Sequence, residues 1–159
     1  MAYVVSARPP GGGRTWTVVD GSYRMVAPVE EWLEAHRQVW SPNTVWGYAT
    51  GLAQWWTFLE QRNDTTNWDK LGVPAVSGFL SWLRNGRTVE HSIARDVEAT
   101  PSPETLEARL AALISFYRWH GEVNDVPVAG KLLRGRPRRA PARGSADESY
   151  RKPKPGYAL

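Results

Sequence analysis

Ser41-Pro42-Asn43-Thr44-Val45-Trp46-Gly47-Tyr48-Ala49-Thr50-Gly51-Leu52-Ala53-Gln54-Trp55-Trp56-Thr57-Phe58-Leu59-Glu60 is the stretch on which the reading of this chain turns. A serine hydroxyl accepts hydrogen bonds from the free amides of a helix's first turn, and a proline directly after it sits where a missing N–H costs nothing. From that start Val45, Tyr48, Leu52, Trp55 and Leu59 recur at intervals of 3, 4, 3 and 4 residues, the spacing of one buried helix face. The spacing therefore predicts a long amphipathic helix, with Asn43, Thr44, Trp46, Gly47 and Thr50 on its outer side.

The same opening recurs at Ser102-Pro103, ahead of a second helix that turns Leu106, Leu110, Leu113 and Tyr117 inward and ends at Gly121. Thr105, Ala108, Arg109 and Ala112 are expected on its outer face. Two further helices complete the pattern. One is expected over 29–39, with Val29, Trp32, Leu33 and His36 inward and Glu30, Glu31, Glu34 and Arg37 outward. The other opens at Pro74, buries Val76, Phe79, Leu80 and Leu83, and stops at Asn85-Gly86. Residues 87–100 are mixed and charged, and only a short helical turn near 93–97 is expected there. Residues 14–26 read as two β-rich runs around Asp20-Gly21, a pair suited to a tight hairpin turn, and Pro9-Pro10-Gly11-Gly12-Gly13 upstream reads as a flexible turn or spacer.

At 159 residues the chain has room for one ordinary domain, and 42% apolar content with 9 Trp is enough to fill its core. Its charge is unevenly distributed. Residues 1–130 carry 11 Lys+Arg against 14 Asp+Glu, a balance of −3, whereas residues 131–159 carry 9 against 2, a balance of +7. That last segment is rich in Arg, Pro, Gly and Ala and has few large apolar groups, so it reads as a disordered basic linker or tail. The chain has no cysteine, no apolar run of membrane-spanning length and no signal-peptide pattern at its start, which reads as a cytoplasmic protein without membrane association.

The two Ser-Pro helices, with Arg109-Leu110-x-Ala112-Leu113-x-x-Phe116-Tyr117-x-Trp119 in the second, resemble the N-terminal core-binding (SAM-like) domain of the tyrosine recombinases, the phage-integrase family. Trp68 to Leu71 and Phe79-Leu80-Ser81-Trp82-Leu83 fit between them in the same order. The resemblance covers about residues 14–130 and rests on the order and spacing of apolar patterns, none of which is diagnostic alone. It implies a mainly α protein: a four- to five-helix core-binding bundle over 27–130, a small N-terminal β-hairpin within 1–26, and the tail over 131–159.

In this family the first long helix and the last helix lie against the major groove of duplex DNA while a catalytic domain closes from the other side. The resemblance thus implies double-stranded attachment-site DNA as the partner, sister recombinase protomers on that DNA, and a monomer when free. The DNA-facing positions would be Ser41, Asn43, Thr44, Trp46, Gly47, Thr50, Thr105, Ala108, Arg109 and Ala112, with Arg134, Arg136, Arg138 and Arg139 of the tail adding counterion-releasing contacts to phosphates. Thr44 and Thr105 sit in first turns, where hydroxyls and free amides suit phosphate oxygens, and Arg109 suits phosphate or a guanine edge. Each has a plainer role open to it, as a helix cap or a solvated side chain, and for Trp46 packing on the hairpin or the first helix is favoured over touching a base. Glu104 and Glu107 depart from the basic or amide side chains that some relatives place there.

No catalytic domain is expected. Such recombinases need a tyrosine nucleophile supported by arginines, a lysine and histidines. Downstream of Trp119 stand only His120 and the tail tyrosines Tyr150 and Tyr157, with no His-x-x-Arg. His36, His91 and His120 lack metal-ligand spacing, and neither a cofactor nor a metal is expected. The alternative reading is a helical protein-interaction module whose basic tail binds nucleic acid without specificity.

Overall fold

The computed structural model describes residues 1–85, 101–124 and 126. Two strands and four α-helices make up this part: β1 (Tyr3–Ala7), β2 (Thr15–Val19), α1 (Ala27–His36), α2 (Pro42–Gln61), α3 (Val73–Arg84) and α4 (Pro103–Asn124), with a 3-10 turn at Thr65–Asn67. The mainly helical bundle and the small N-terminal hairpin are thus as expected. The helical turn expected near 93–97 and the tail over 131–159 lie outside the described residues.

α2 is the centre of the molecule. Ser41 caps it by accepting from the Thr44 amide at 3.2 Å, and its first half is exposed on one side, as the sequence pattern requires. Beyond Tyr48 the pattern gives out, because Ala49, Gly51, Leu52, Ala53, Trp55, Trp56, Thr57, Phe58 and Leu59 are all buried. Only Thr50, Gln54, Glu60 and Gln61 stay open to solvent along this half, and so wide an apolar surface must be covered from several directions. Here the cover is the hairpin, α1, α3 and α4.

The hairpin covers the small-residue side. β1 and β2 pair antiparallel, with Tyr3 opposite Val19 and Ala7 opposite Thr15. The segment expected to be a spacer is the hairpin's own turn: the Gly12 amide donates to the Pro9 carbonyl at 3.0 Å, Pro10 lies between them, and Gly11 adopts a φ of 72°. Proline followed by a residue of positive φ is the pattern of a type II turn, whose second corner favours glycine. Asp20-Gly21 also reverses the chain, but only a single bridge follows, between Val19 and Met25. The Asp20 carboxylate organises this loop by accepting from the amides of Arg24 and Ser22, the Arg24 bond foremost, and these hold its carboxyl below the usual range. The left-handed residue there is Tyr23, at φ 62°, and not the glycine.

Helix α1 ends at His36, three residues before the expected boundary, because the amides of Val39 and Trp40 both fold back onto the His36 carbonyl. Trp40 then stacks on the His36 ring at 4.2 Å and packs edge-on against Tyr48 at 4.6 Å. Val29, Trp32 and Leu33 are buried as expected, whereas Glu30 and Arg37, expected outward, are half-buried. They tie α1 to β2. Arg37, with its side chain only 10% exposed, bonds Glu30, the Thr15 hydroxyl and the Trp16 carbonyl, and Glu30 accepts from the Thr17 hydroxyl at 2.6 Å. Burial opposes the Glu30 charge, but the hydrogen bonds from Arg37 and Thr17 outweigh it and its carboxyl is held low.

Helix α4 does not stop at Gly121 but runs on to Asn124. His120 accounts for the extra turn. Its Nε2 lies 2.8 Å from the Pro28 carbonyl, and its Nδ1 lies 2.9 Å from the amide nitrogen of Asn124, one turn on. Both contacts are satisfied by a neutral ring that donates from Nε2 and accepts at Nδ1. Next to it, Trp55 donates to the Tyr117 hydroxyl at 3.2 Å and that hydroxyl donates to the Trp68 carbonyl at 2.7 Å, so the buried phenol is fully partnered. Burial pushes the Tyr117 hydroxyl well above its ordinary pKa.

Where α2 and α4 cross, the backbones come close. A Cβ on Gly51 would stand 2.9 Å from the Cβ of Ala112, nearer than carbon atoms approach. Gly47, one turn earlier, has open space in that direction. Gly51→Ala is expected to destabilise by about 1 to 3 kcal/mol through overpacking. Gly47→Ala is expected to stabilise by about 0.5 to 1 kcal/mol through helix propensity alone. Urea unfolding of the pair checks both, and equal effects would refute this account of the crossing.

A second expectation concerns pH. Burial depresses the His120 pKa below 6.5, against a smaller opposing effect of the Pro28 carbonyl. The unfolded chain therefore takes up the proton first, so stability is full above about 6.5 and declines as pH falls from there toward the folded-state pKa. The Glu30 contribution is lost only below its ordinary 4.5. Unfolding midpoints that stay level between these two values would contradict the His120 assignment, and His120→Gln should remove the slope.

Candidate nucleic-acid interface

The exposed side of α2 narrows to a polar stripe. Asn43 and Thr44 are exposed, Gly47 and Thr50 are half-buried, and Gln54 continues the line one turn further. This stripe borders α4 directly. Arg109 Nε donates to Gln54 Oε1 at 2.6 Å, and the Arg109 Cδ lies 3.6 Å from the Cβ position of Gly51. The outer positions of the two helices are thus joined along one seam.

Both helices open with the same cap. The Ser41 hydroxyl lies 3.1 Å from the Thr44 hydroxyl and accepts from the Thr44 amide, and Ser102 stands in the same relation to Thr105, with both distances 3.1 Å. The plainer role of these four residues is therefore real, since they fix the two helix starts. The Thr50 hydroxyl donates to the Trp46 carbonyl at 2.8 Å, which leaves its lone pairs outward.

On α4 the expected outer face is only partly outer. Ala108 is exposed, and Thr105 and Arg109 are half-buried. Ala112 is a correction: it is 0% exposed and sits under Gly51, because the helices cross at that point and need two small residues there. Leu106 and Leu110, expected inward, are only half-buried, so the helix is rotated slightly from the orientation that its leucines alone imply. Trp46 is 49% exposed and stands at the surface instead of beneath the hairpin or α1. Arg134, Arg136, Arg138 and Arg139 lie outside the described residues.

Sequence reasoning missed Gln54, although the signal was present. Asn43, Gly47, Thr50 and Gln54 follow one another at 4, 3 and 4 residues, so the outer stripe could have been carried one step further. Gln54 orients Arg109, and this pair is the polar feature of the seam. In a double-mutant cycle with Gln54→Ala and Arg109→Ala, a coupling of about 0.5 to 1.5 kcal/mol in stability is expected. Strict additivity would mean that the pair does not form in solution.

Among the described residues, no group of His, Asp and Glu could hold a metal ion, and no helix is long and apolar enough to cross a membrane. The surface at the seam offers hydroxyls, an amide and a guanidinium, which are groups that bind by hydrogen bonding and charge. A family model described as phage integrase, N-terminal SAM-like domain, matches residues 29–121. No curated protein and no solved structure matches the chain. The matched span runs from α1 through most of α4 and takes in both capped helices and the seam between them. It amounts to more than half of the 159 residues, and the chain belongs to the phage integrase N-terminal SAM-like domain family.

Proposed function

We propose that this chain grips duplex DNA at the attachment site of an integrase-type recombinase, with the α2 stripe and the adjoining edge of α4 against the major groove. The observation that carries this reading is the seam: two Ser-Pro-capped helices cross at Gly51 and Ala112, and their polar outer positions meet at Gln54 and Arg109. Asn43, Thr44 and Thr50 supply groups for phosphates and base edges, Thr105 adds a second first-turn hydroxyl, and Arg109 is held in orientation for either. The basic segment 131–159 adds sequence-independent attraction. The working protein is a cytoplasmic monomer that meets sister protomers on DNA, and this chain does not itself cut the strand.

Gly47 gives the reading a discriminating feature. A glycine inside a helix with open space beside it has no packing reason to be there and costs stability. Close approach of the α2 backbone to a ligand supplies a reason. Duplexes selected from a random pool should therefore bind the chain more tightly than scrambled duplex in mobility-shift titration, and Gly47→Ala should weaken that binding tenfold or so while leaving the fold intact. Equal affinity for selected and scrambled duplex would defeat the proposal.

One observation favours a second reading. Residues 1–130 carry a net charge of −3, so a helical interaction module whose tail alone touches nucleic acid is a consistent alternative. Deleting residues 131–159 separates the two. Under the alternative all DNA binding disappears with the tail, whereas under the first reading the selected duplex is still preferred, with lower affinity.

A further inference from the structure

The cations of the N-terminal part differ in whether they are paired. Arg37 is held by Glu30 and Glu34, Arg24 lies 4.0 Å from Asp20, and Arg62 lies 3.8 Å from Asp64. Arg8 and Arg14 are exposed, and among the described residues neither is paired with a carboxylate. They flank the turn of the hairpin on either side, Arg8 just after β1 and Arg14 just before β2.

The position of this turn follows from how the hairpin lies on α2. Its base is fixed near the end of α2, where the Ala2 amide donates to the Thr57 hydroxyl at 3.0 Å and the Gly21 amide to Glu60 Oε2 at 2.9 Å. Its other end is fixed at the C-terminal end of α1, four residues ahead of the α2 cap at Ser41, where Thr15 and Trp16 receive hydrogen bonds from Arg37. Four strand steps of about 3.3 Å match roughly nine helix residues at 1.5 Å each. Strands running along α2 from that base would end near the level of Ala49, with the turn directed toward the Trp46 end of the helix. Glu60, Thr57, Ala53, Ala49 and Trp46 fall on one face of α2 at intervals of 3 and 4 residues. That face is next to the polar stripe, so the hairpin tip flanks the stripe on the side opposite α4.

We propose that the hairpin tip is a second DNA-contacting element, in which Arg8 and Arg14 bind backbone phosphates of the duplex beyond the footprint of α2. The assignment rests on the duplex-binding reading above. The tip is built for such a role. Its turn is held by the Gly12 to Pro9 hydrogen bond and by the fixed φ of Pro10, so little ordering remains to be done on binding. The Arg14 guanidinium lies over the Trp16 ring, 5.4 Å from its centroid. Stacking engages the face of a guanidinium and leaves its in-plane N–H donors for phosphate oxygens.

The experiment uses the full chain and the selected duplex, measuring log Kobs against log salt for Arg8→Ala/Arg14→Ala beside the unsubstituted protein. Each phosphate contact contributes a slope of about 0.9, so the double variant should lose roughly 1 to 2 from the slope while keeping its preference over scrambled duplex. Arg8→Lys/Arg14→Lys should retain the slope. Arg24→Ala, which removes a cation at the other end of the hairpin, should leave it unchanged, and unchanged thermal unfolding confirms that the fold persists. An unaltered slope in the alanine double variant would overturn the tip assignment alone, as would an equal loss per charge in Arg24→Ala. Failure of the unsubstituted chain to bind any duplex would instead remove the underlying reading and this one with it.

Discussion

The contact between Gly51 of α2 and Ala112 of α4 is the constraint to which the rest of the structure answers. Two helices can come this close only where both lack a side chain of any size, and once they do, their relative rotation is fixed. The aromatic side chains on either side then have one arrangement available. Trp55 reaches the Tyr117 hydroxyl, Phe116 meets Trp32 edge to face at 5.5 Å, and His120 arrives at the Pro28 carbonyl that starts α1. The outer consequence is that Gln54 and Arg109 come within hydrogen-bonding reach and make one surface from two helices.

The long helices were legible because each announces itself twice, once by a Ser-Pro start and again by large apolar residues at helical spacing. What periodicity could not convey was the other side of α2. Ala49, Gly51 and Ala53 are not hydrophobic enough to mark a face, yet their smallness is what lets the strands and α4 lie directly on the backbone. The same blindness misplaced Ala112, since an alanine on a helix reads as outward unless its partner glycine is known. Gly121 misled for the opposite reason: its tendency to end a helix is weak against the hydrogen bonds that His120 makes on either side of it.

The hairpin was found in kind but placed one strand too late. Asp20-Gly21 has the composition of a hairpin turn and does reverse the chain, but the pairing partner of β2 lies upstream, beyond a Pro-Pro-Gly-Gly-Gly segment that composition alone assigns to a spacer. Tyr3–Ala7 is too short a strand to stand out before its partner is identified. The candidate surface was legible in the same partial way. Its exposed members on α2 follow from the helix period, whereas the roles of Gln54 and Arg109 depend on a crossing that no local pattern encodes.

The burial of α2 by elements from both directions of the chain has a consequence for how the chain acquires its structure. The segments that cover this helix come from both earlier and later in the sequence, and α4 arrives last of them. As a nascent polypeptide emerges, the glycine and tryptophan flank of α2 stands open to solvent until residues 103–124 have been made. During that interval the half-built bundle presents an aromatic surface, the kind of transiently exposed apolar patch that makes a partly folded chain prone to aggregation.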